Sequence, residues 1–232
     1  MTLSNRKILR TLLCLLAGTL YAVCLSACDA KEPLSENRDA EIESPVIAND
    51  LSNQKVTAIA EDTQGHIWIG TFRGLNKNNV HDYHQYFCTD DSLGLPDNQI
   101  THLLRDSKNR FWVGTVNGVC LYTDKDNFRI IPIEADNKNV RQILEDRNGR
   151  IFLNTGFQLY AYHPREEKIT CVLPEISPGN AFYAQCHIAP DNNLWVMTST
   201  GLRCYDPSTL QLKESVALSG YPYYSYLHNN EL

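Results

Sequence analysis

The side chains that could do chemistry are scattered along the chain and form no familiar catalytic motif. The sequence has no Gly-x-Ser-x-Gly elbow, no His-Glu-x-x-His zinc motif and no glycine-rich nucleotide loop. His81 and His84 have the spacing of a metal pair, but no third ligand follows at a suitable distance, and we interpret them as surface residues. Adjacent acids such as Asp90-Asp91 and Glu166-Glu167 are typical of solvated loops. The sequence therefore predicts no catalytic residue, no metal site and no cofactor.

The cysteines also lack the spacing of a reactive or metal-binding site. Five of the eight lie beyond residue 28, and none of the five belongs to a C-x-x-C pair. We interpret them as small buried side chains in strands, although one disulfide stays an alternative. They are Cys88, Cys120, Cys171, Cys186 and Cys204.

Three aspartates recur at one place in a sequence repeat. Asp62, Asp106 and Asp146 each begin an Asp-x-x-Gly or Asp-x-x-Asn tetrapeptide that separates two apolar runs. The aspartate can bond the backbone N–H groups of a tight turn, and Gly or Asn tolerates the positive φ that ends it. We therefore interpret the aspartates as turn residues and not as catalytic acids.

The repeat extends well beyond the turn, with successive spacings of about 44, 40 and 43 residues, the period of one propeller blade. A weaker fourth copy has Ala189 where the aspartate should be. The recurring positions are Asp62, Trp68, Gly70, Thr71 and Gly74, then Asp106, Trp112, Gly114, Thr115 and Gly118, then Asp146, Phe152 and Thr155, and last Trp195, Thr198 and Gly201.

Each unit is predicted to form four short strands, the second of them apolar at successive positions and hence buried on both faces. The recurring aromatic is interpreted as packing between blades. The predicted fold is all-β, a partial β-propeller of about four four-stranded blades plus the start of a fifth near Tyr221–Tyr226. The predicted blade units are residues 51–90, 95–133, 136–173 and 180–217, within a propeller region of residues 47–232.

The N-terminus is predicted to be a targeting segment. Arg6, Lys7 and Arg10 precede an uncharged run that ends at Cys28, as in a signal peptide over residues 1–27. Leu25-Ser26-Ala27-Cys28 resembles a bacterial lipobox, which implies lipidation of Cys28; an uncleaved anchor or a plain signal is the alternative. Residues 28–46 are polar and are predicted to be a flexible tether. We expect a periplasmic or cell-envelope location with a membrane tether.

The charge balance argues against a nucleic-acid partner. The chain has 21 basic and 27 acidic residues, a formal net charge of −6. Residues 1–28 contribute three positive charges and no acid, so the remainder stands at −6 − 3 = −9. An acidic body repels phosphate, and we predict no nucleic-acid binding.

The consensus V-x-x-I-x-x-D-x-x-G-x-I-W-I-G-T-x-x-G-L resembles the two-component regulator propeller repeat. The likeness is strong over residues 51–77 and 95–122, partial over 136–162 and weakest over 180–205. The resemblance implies the extracytoplasmic sensor region of a bacterial hybrid histidine kinase, which recognises carbohydrate and signals across the membrane. Because no kinase motif precedes Leu232, the sequence resembles the N-terminal portion of such a sensor.

A ligand site is expected on the rim that carries the loops between second and third strands. Loops on a rigid scaffold commonly hold functional residues, and Arg73 and Asn117 are suited to sugar hydroxyls, although ordinary turn residues are the alternative. The expected partners are an oligosaccharide, the membrane, and either a second copy or a missing C-terminal propeller and kinase portion, since an open ring exposes apolar blade faces. The alternative functions are a propeller lyase or glycosidase and a lipoprotein scaffold for protein contacts.

Overall fold

A computed structural model describes residues 45–89, 94–173 and 183–217. They form antiparallel sheets that follow one another along the chain. The strands are β1 (Val46–Ala48), β2 (Val56–Glu61), β3 (Ile67–Thr71), β4 (Gly74–Asn79), β5 (Asp82–Tyr86), β6 (Ile100–Arg105), β7 (Phe111–Thr115), β8 (Gly118–Thr123), β9 (Asn127–Ile131), β10 (Gln142–Glu145), β11 (Ile151–Asn154), β12 (Leu159–His163), β13 (Lys168–Leu173), β14 (Tyr183–Ile188), β15 (Leu194–Thr198), β16 (Gly201–Tyr205) and β17 (Leu212–Ala217).

Each repeat unit is one blade, with its strands paired in chain order. Blade 1 consists of β2 to β5, blade 2 of β6 to β9, blade 3 of β10 to β13 and blade 4 of β14 to β17. The first strands of successive blades lie side by side, as the innermost strands of a propeller do. A 3-10 turn, Asp124–Asp126, joins β8 to β9. The predicted all-β, partial propeller of four-stranded blades is confirmed.

Blade 1 has a fifth strand that the sequence did not predict. β1 pairs with the outer strand β5, with Val46 opposite Gln85 and Ala48 opposite Tyr83. Val46 was assigned to the tether, and the structure places it in this strand instead. Three residues with largely exposed side chains give no alternating pattern, so the pairing leaves little trace in the sequence.

The hydrophobic core is divided into layers between neighbouring blades. Trp68 of blade 1 packs on Phe111 and Tyr122 of blade 2, with ring centroids 5.1 and 4.7 Å apart. Trp112 of blade 2 meets Tyr162 of blade 3 in the same way, at 4.9 Å. The recurring aromatic of one blade therefore faces the next blade, as predicted from its repetition.

The second strands are not all buried on both faces, which corrects the sequence-based expectation for blade 1. β7 and β11 are buried along their whole length. In β3, however, Ile67 is 37% exposed, and Val56 and Ile59 of the adjacent β2 are 42% and 65% exposed. This face of blade 1 turns away from blade 2, and no sheet of the described chain covers it.

Several sequence-based predictions fall outside the described residues. They are the signal segment, lipidation at Cys28, most of the tether, the Asp90-Asp91 loop and the start of a fifth blade at Tyr221–Tyr226. Within the part that the structure describes, no helix is long and apolar enough to span a membrane.

Candidate functional site

The repeated aspartates organise the turns between the first and second strands of blades 1 to 3. Asp106 Oδ1 accepts hydrogen bonds from the backbone N–H groups of Lys108 and Arg110, at 3.0 and 2.8 Å. Asp62 Oδ1 does the same with Gln64 and His66. The turns end in a residue of positive φ, for example Asn109 at 62°. The predicted turn chemistry is confirmed by this geometry.

The second oxygen of each aspartate has a role that sequence reasoning missed. Trp68 Nε1 donates to Asp62 Oδ2 at 2.9 Å, and Trp112 Nε1 donates to Asp106 Oδ2 at 2.8 Å. Burial raises the pKa of the Asp62 carboxyl, but the hydrogen bonds from Trp68, His66 and Gln64 outweigh it, so this pKa lies below its ordinary value. The buried carboxylate thus joins the turn to the interblade core.

The turns at the opposite rim contain the predicted ligand residues. Thr71 Oγ1 donates to the Gly74 carbonyl at 2.8 Å and accepts from the Arg73 N–H, and Thr115 repeats the pattern with Gly118 and Asn117. Both Arg73 and Asn117 are exposed. Their assignment as ligand-binding residues stays a prediction.

A cavity of about 530 Å³ opens at the other rim, between blades 1 and 2. Blade 1 contributes the start of its aspartate turn and one residue of β4, and blade 2 contributes its aspartate turn and the turn between β8 and β9. A volume of this size is within the range of small-ligand sites. The lining residues are Asp62, Thr63, Gln64, Lys77, Arg105, Asn109, Arg110, Phe111, Tyr122, Thr123, Lys125 and Asp126.

The cation that lies over the recurring aromatic comes from a different repeat position at the first blade junction than at the second. Four residues after the aspartate, blade 2 has Arg110, whose guanidinium lies 5.1 Å from the ring centres of both Trp112 and Tyr162. Blade 1 has the shorter His66 at this position. Over Trp68 the cation is instead Lys77, which reaches across from β4, with its ammonium 5.3 Å from the ring centre. At the junction of blades 1 and 2 the cation therefore comes from β4, and not from the residue just before the second strand of the blade.

A carboxylate with two phenols closes the outer side of the cavity. Asp126 Oδ1 accepts hydrogen bonds from the hydroxyls of Tyr86 in blade 1, at 2.7 Å, and Tyr122 in blade 2, at 2.9 Å. Burial raises the pKa of Asp126, but the two hydroxyls and nearby Lys77 lower it by more, and the net shift is downward. Burial and the Asp126 charge raise the pKa of both phenols, which stay protonated donors. These bonds tie the two blades together.

Three cations at the cavity are not in direct contact with a carboxylate among the described residues, although the charge of Lys77 acts on Asp126 from a longer distance. Among the described residues, no ion pair within 4 Å involves Lys77, Arg105 or Lys125. Arg105 donates one hydrogen bond, from Nη1 to the Asp62 carbonyl at 3.0 Å, which fixes it at the seam between the blades. Arg110 is different, because its Nε pairs with Asp106 Oδ2 at 2.6 Å.

The cavity and the predicted ligand residues lie at opposite ends of the blades. β3 runs from Ile67 at the cavity rim to Thr71 beside Arg73, a span of roughly 15 Å for five residues. The repeat contains one signal for the cavity. The residue paired with the recurring aromatic is Lys77 in blade 1, whereas Leu121, Ala161 and Cys204 are its counterparts. A lysine at a repeat position that is uncharged in the other three blades distinguishes the junction of blades 1 and 2, where the cavity lies.

The other candidate groups for chemistry are dispersed in the structure. His81 is exposed, and His84 contacts Asp82 at 3.7 Å. In the described part of the chain, no cluster of three His, Cys, Asp or Glu side chains could hold a metal ion. The five described cysteines are free; Cys120, Cys186 and Cys204 are buried in strands as predicted, whereas the same expectation is wrong for Cys88 and Cys171, which are exposed. Burial raises the pKa of the Cys186 thiol to about 12, which makes it a poor nucleophile. Glu166 and Glu167 form exposed ion pairs with Lys168 and Arg129.

Comparison with known proteins agrees with this architecture. A family profile described as Two component regulator propeller matches residues 50–73 and 94–117, which contain the aspartate turn, the tryptophan strand and the threonine of blades 1 and 2. No curated relative matches the chain with statistical significance.

Several solved structures share the fold. An extracellular domain from B. thetaiotaomicron, named as part of a hybrid two component system, has 24% identity and a TM-score of 0.61 over 71% of this chain and 22% of that one. A second such domain from the same organism has 17% identity and a TM-score of 0.52, over 75% and 32%. Virginiamycin B lyase from Staphylococcus aureus has 17% identity and a TM-score of 0.57, over 75% and 59%. The chain thus spans about a fifth of the first of these structures.

The fold and the interblade cores define the chain as part of a β-propeller. Its sequence contains two-component regulator propeller repeats.

Proposed function

We propose that this chain is an extracytoplasmic sensor segment that recognises carbohydrate in the cavity between blades 1 and 2. It acts by binding and not by catalysis, and its N-terminal segment tethers it to the membrane. The repeat type supports the sensor role, because the matching profile describes propellers of two-component regulators. Two structural neighbours are extracellular domains of hybrid two component systems, which supports the same location for this chain.

The observation that carries the proposal is the set of side chains that line the cavity between blades 1 and 2. Saccharide sites combine hydrogen-bonding side chains for hydroxyls with an aromatic surface for the apolar face of the sugar. Here Gln64, Asn109 and Thr123 supply amide and hydroxyl groups, and the partly exposed Tyr122 supplies an aromatic ring. The turns that carry Gln64 and Asn109 are held by the buried Asp62 and Asp106, so little ordering of these turns is required when a ligand binds.

The cavity also lies where a ligand could influence blade packing. Its walls belong to two blades, and the bonds from Tyr86 and Tyr122 to Asp126 join the blades beside it. A bound ligand that contacts both walls stabilises one relative position of the blades by its binding energy. This supports a sensory role in which occupancy of the cavity is converted to a change in blade packing.

Two asparagines provide a matched test of the site. Asn109 lines the cavity and Asn117 occupies the opposite rim; both are exposed turn residues of blade 2. We expect saccharide binding to the full chain, measured by titration calorimetry with a panel of neutral and acidic oligosaccharides. Asn109→Gly, which keeps the positive φ accessible, weakens that binding, whereas Asn117→Gly leaves it unchanged.

Two results would count against the proposal. Absence of binding to every saccharide in the panel would remove the carbohydrate role. Loss of binding in Asn117→Gly, with Asn109→Gly unaffected, would place the site at the opposite rim that the sequence alone suggested.

A further inference from the structure

The cavity carries an excess of positive charge in a chain that is acidic as a whole. Among the side chains that the structure describes, four cations line it, against the carboxylates of Asp62 and Asp126, a balance of 4 − 2 = +2. Counting Asp106, which pairs with Arg110 from behind the lining, reduces the balance to +1. The whole chain, by contrast, has a net charge of −6. The sign of the local charge is therefore opposite to that of the protein.

The two lining carboxylates are already engaged and offer little to a ligand. Asp62 is 8% exposed, and its oxygens accept hydrogen bonds from Gln64, His66 and Trp68. Asp126 accepts two tyrosine hydroxyls through Oδ1. The donors to both carboxylates are thus backbone N–H groups and side chains close to them in the fold. Neither carboxylate lies within 4 Å of the charged nitrogens of the three unpaired cations.

The unpaired cations surround the cavity from both blades. Lys77 comes from β4 of blade 1, Arg105 from the end of β6, and Lys125 from the turn before β9. Arg105 is fixed by its bond to the Asp62 carbonyl and keeps other N–H donors for a ligand. Lys77 is held over Trp68 and Tyr122, at 5.3 and 5.6 Å from their ring centres. Cations that are held in place but form no direct ion pair have the arrangement of an anion-binding site.

We propose that the cavity selects an anionic saccharide, one that bears a carboxylate or a sulfate group, and that Lys77, Arg105 and Lys125 bind this group. The inference rests on the proposed function, since it names the class of sugar that the same cavity takes. The neutral amide and hydroxyl groups of Gln64, Asn109 and Thr123 bind the sugar hydroxyls, and Tyr122 packs against the ring. A neutral sugar leaves the cations without a partner and binds more weakly.

The test compares pairs of ligands that share a sugar skeleton and differ in whether the acidic group is charged, masked or absent. Digalacturonic acid and its dimethyl ester form one pair, and a sulfated disaccharide and its desulfated form make the second. Titration calorimetry on the full chain should show that the anionic member of at least one pair binds at least about 10-fold more tightly than its neutral counterpart, as expected for charge-assisted hydrogen bonds. Raising the salt concentration should weaken the anionic ligand and leave the neutral one little changed.

Variants locate the selectivity at the cavity. Lys77→Leu places in blade 1 the residue that blade 2 has at the equivalent position, Leu121, so the variant is expected to fold. Arg105→Gln removes the second cation, and Lys108→Gln is the control, because Lys108 is an exposed base on the same rim outside the cavity. We expect Lys77→Leu and Arg105→Gln to lower the affinity for the anionic disaccharide roughly 10-fold and Lys108→Gln to leave it unchanged.

The outcomes separate this inference from the proposed function. Equal binding of charged and neutral partners, weakened by Asn109→Gly, overturns the inference and leaves saccharide recognition in place. Anionic selectivity that survives both Lys77→Leu and Arg105→Gln places the anion site elsewhere and also overturns it. No binding of any saccharide removes the proposed function, and the inference falls with it.

Discussion

Replacement of Trp112 tests how the aspartate turn and the interblade core are joined. The ring is fully buried, contacts Tyr162, lies under the Arg110 guanidinium and donates a hydrogen bond to Asp106. Trp112→Ala should therefore lower the free energy of unfolding by about 3–5 kcal/mol through the cavity that it leaves. Urea denaturation followed by circular dichroism measures this change without relying on tryptophan fluorescence.

A second substitution at the same position isolates the hydrogen bond. Trp112→Phe keeps an aromatic ring. Blade 3 already has Phe152 at this position, together with the equivalent turn aspartate, Asp146. The Asp106 carboxylate then loses one donor in a buried site, and we expect a cost of about 1.5–3 kcal/mol, as for hydrogen bonds to charged groups. Trp112→Phe should thus account for part, but not all, of the loss in Trp112→Ala.

Blade 4 provides the control. Its Trp195 follows Ala189 instead of an aspartate, is partly exposed, and has no described acceptor for its indole N–H. Trp195→Phe should therefore change the free energy of unfolding much less than Trp112→Phe. Equal losses in the two Phe variants, or an unchanged stability of Trp112→Ala, would refute the coupling of turn to core.

Two further predictions concern close packing and pH. Gly70→Ala should destabilise the chain by about 1–3 kcal/mol in the same urea assay, because a Cβ at Gly70 would lie 2.5 Å from Ile100 Cγ2 of the next blade. Gly114→Ala, whose Cβ would lie 3.1 Å from Val140 Cγ1, should cost less, and the reverse order would contradict the blade packing. Burial lowers the pKa of His102, so the unfolded chain binds more protons just below its ordinary pKa of 6.5. Stability should therefore fall as pH drops through about 6.5 and level off below the folded pKa; His102→Gln should flatten this dependence, and an unchanged slope would speak against it.

The repeat made the blades predictable, because each one is specified by local sequence. The Asp62 turn, the apolar strand through Trp68 and the Thr71 turn lie within ten residues of one another, and each is set by short-range chemistry. Each predicted blade unit encloses the four strands of one observed blade, for example residues 51–90 around β2 to β5. A repeat of such locally determined turns and strands can be recognised in a single sequence.

The candidate site was not predictable in the same way, since it depends on how the blades differ. The cavity has His66 where blades 2 and 3 have an arginine, and Lys77 where the other blades have uncharged residues. Its contacts also join distant segments, such as Arg105 to Asp62 and Tyr86 to Asp126. Loop position on a rigid scaffold favours Arg73 and Asn117 instead, and it carries no information on these exceptions.

The strand β1 was missed for a related physical reason. Its three residues pair with β5 almost 40 positions further along the chain, and their side chains are mostly exposed. Backbone hydrogen bonds to an edge strand place no demand on residue type beyond the absence of proline. Such a strand leaves no hydrophobic alternation for sequence reasoning to detect.

A crystal structure of the chain with its tightest-binding anionic disaccharide is the most direct test of the ligand site. The sugar should lie between blades 1 and 2, with its carboxylate or sulfate within hydrogen-bonding distance of Lys77 or Arg105 and its hydroxyls near Asn109. Density for the sugar beside Arg73 and Asn117, with the interblade cavity empty, would contradict the proposed site.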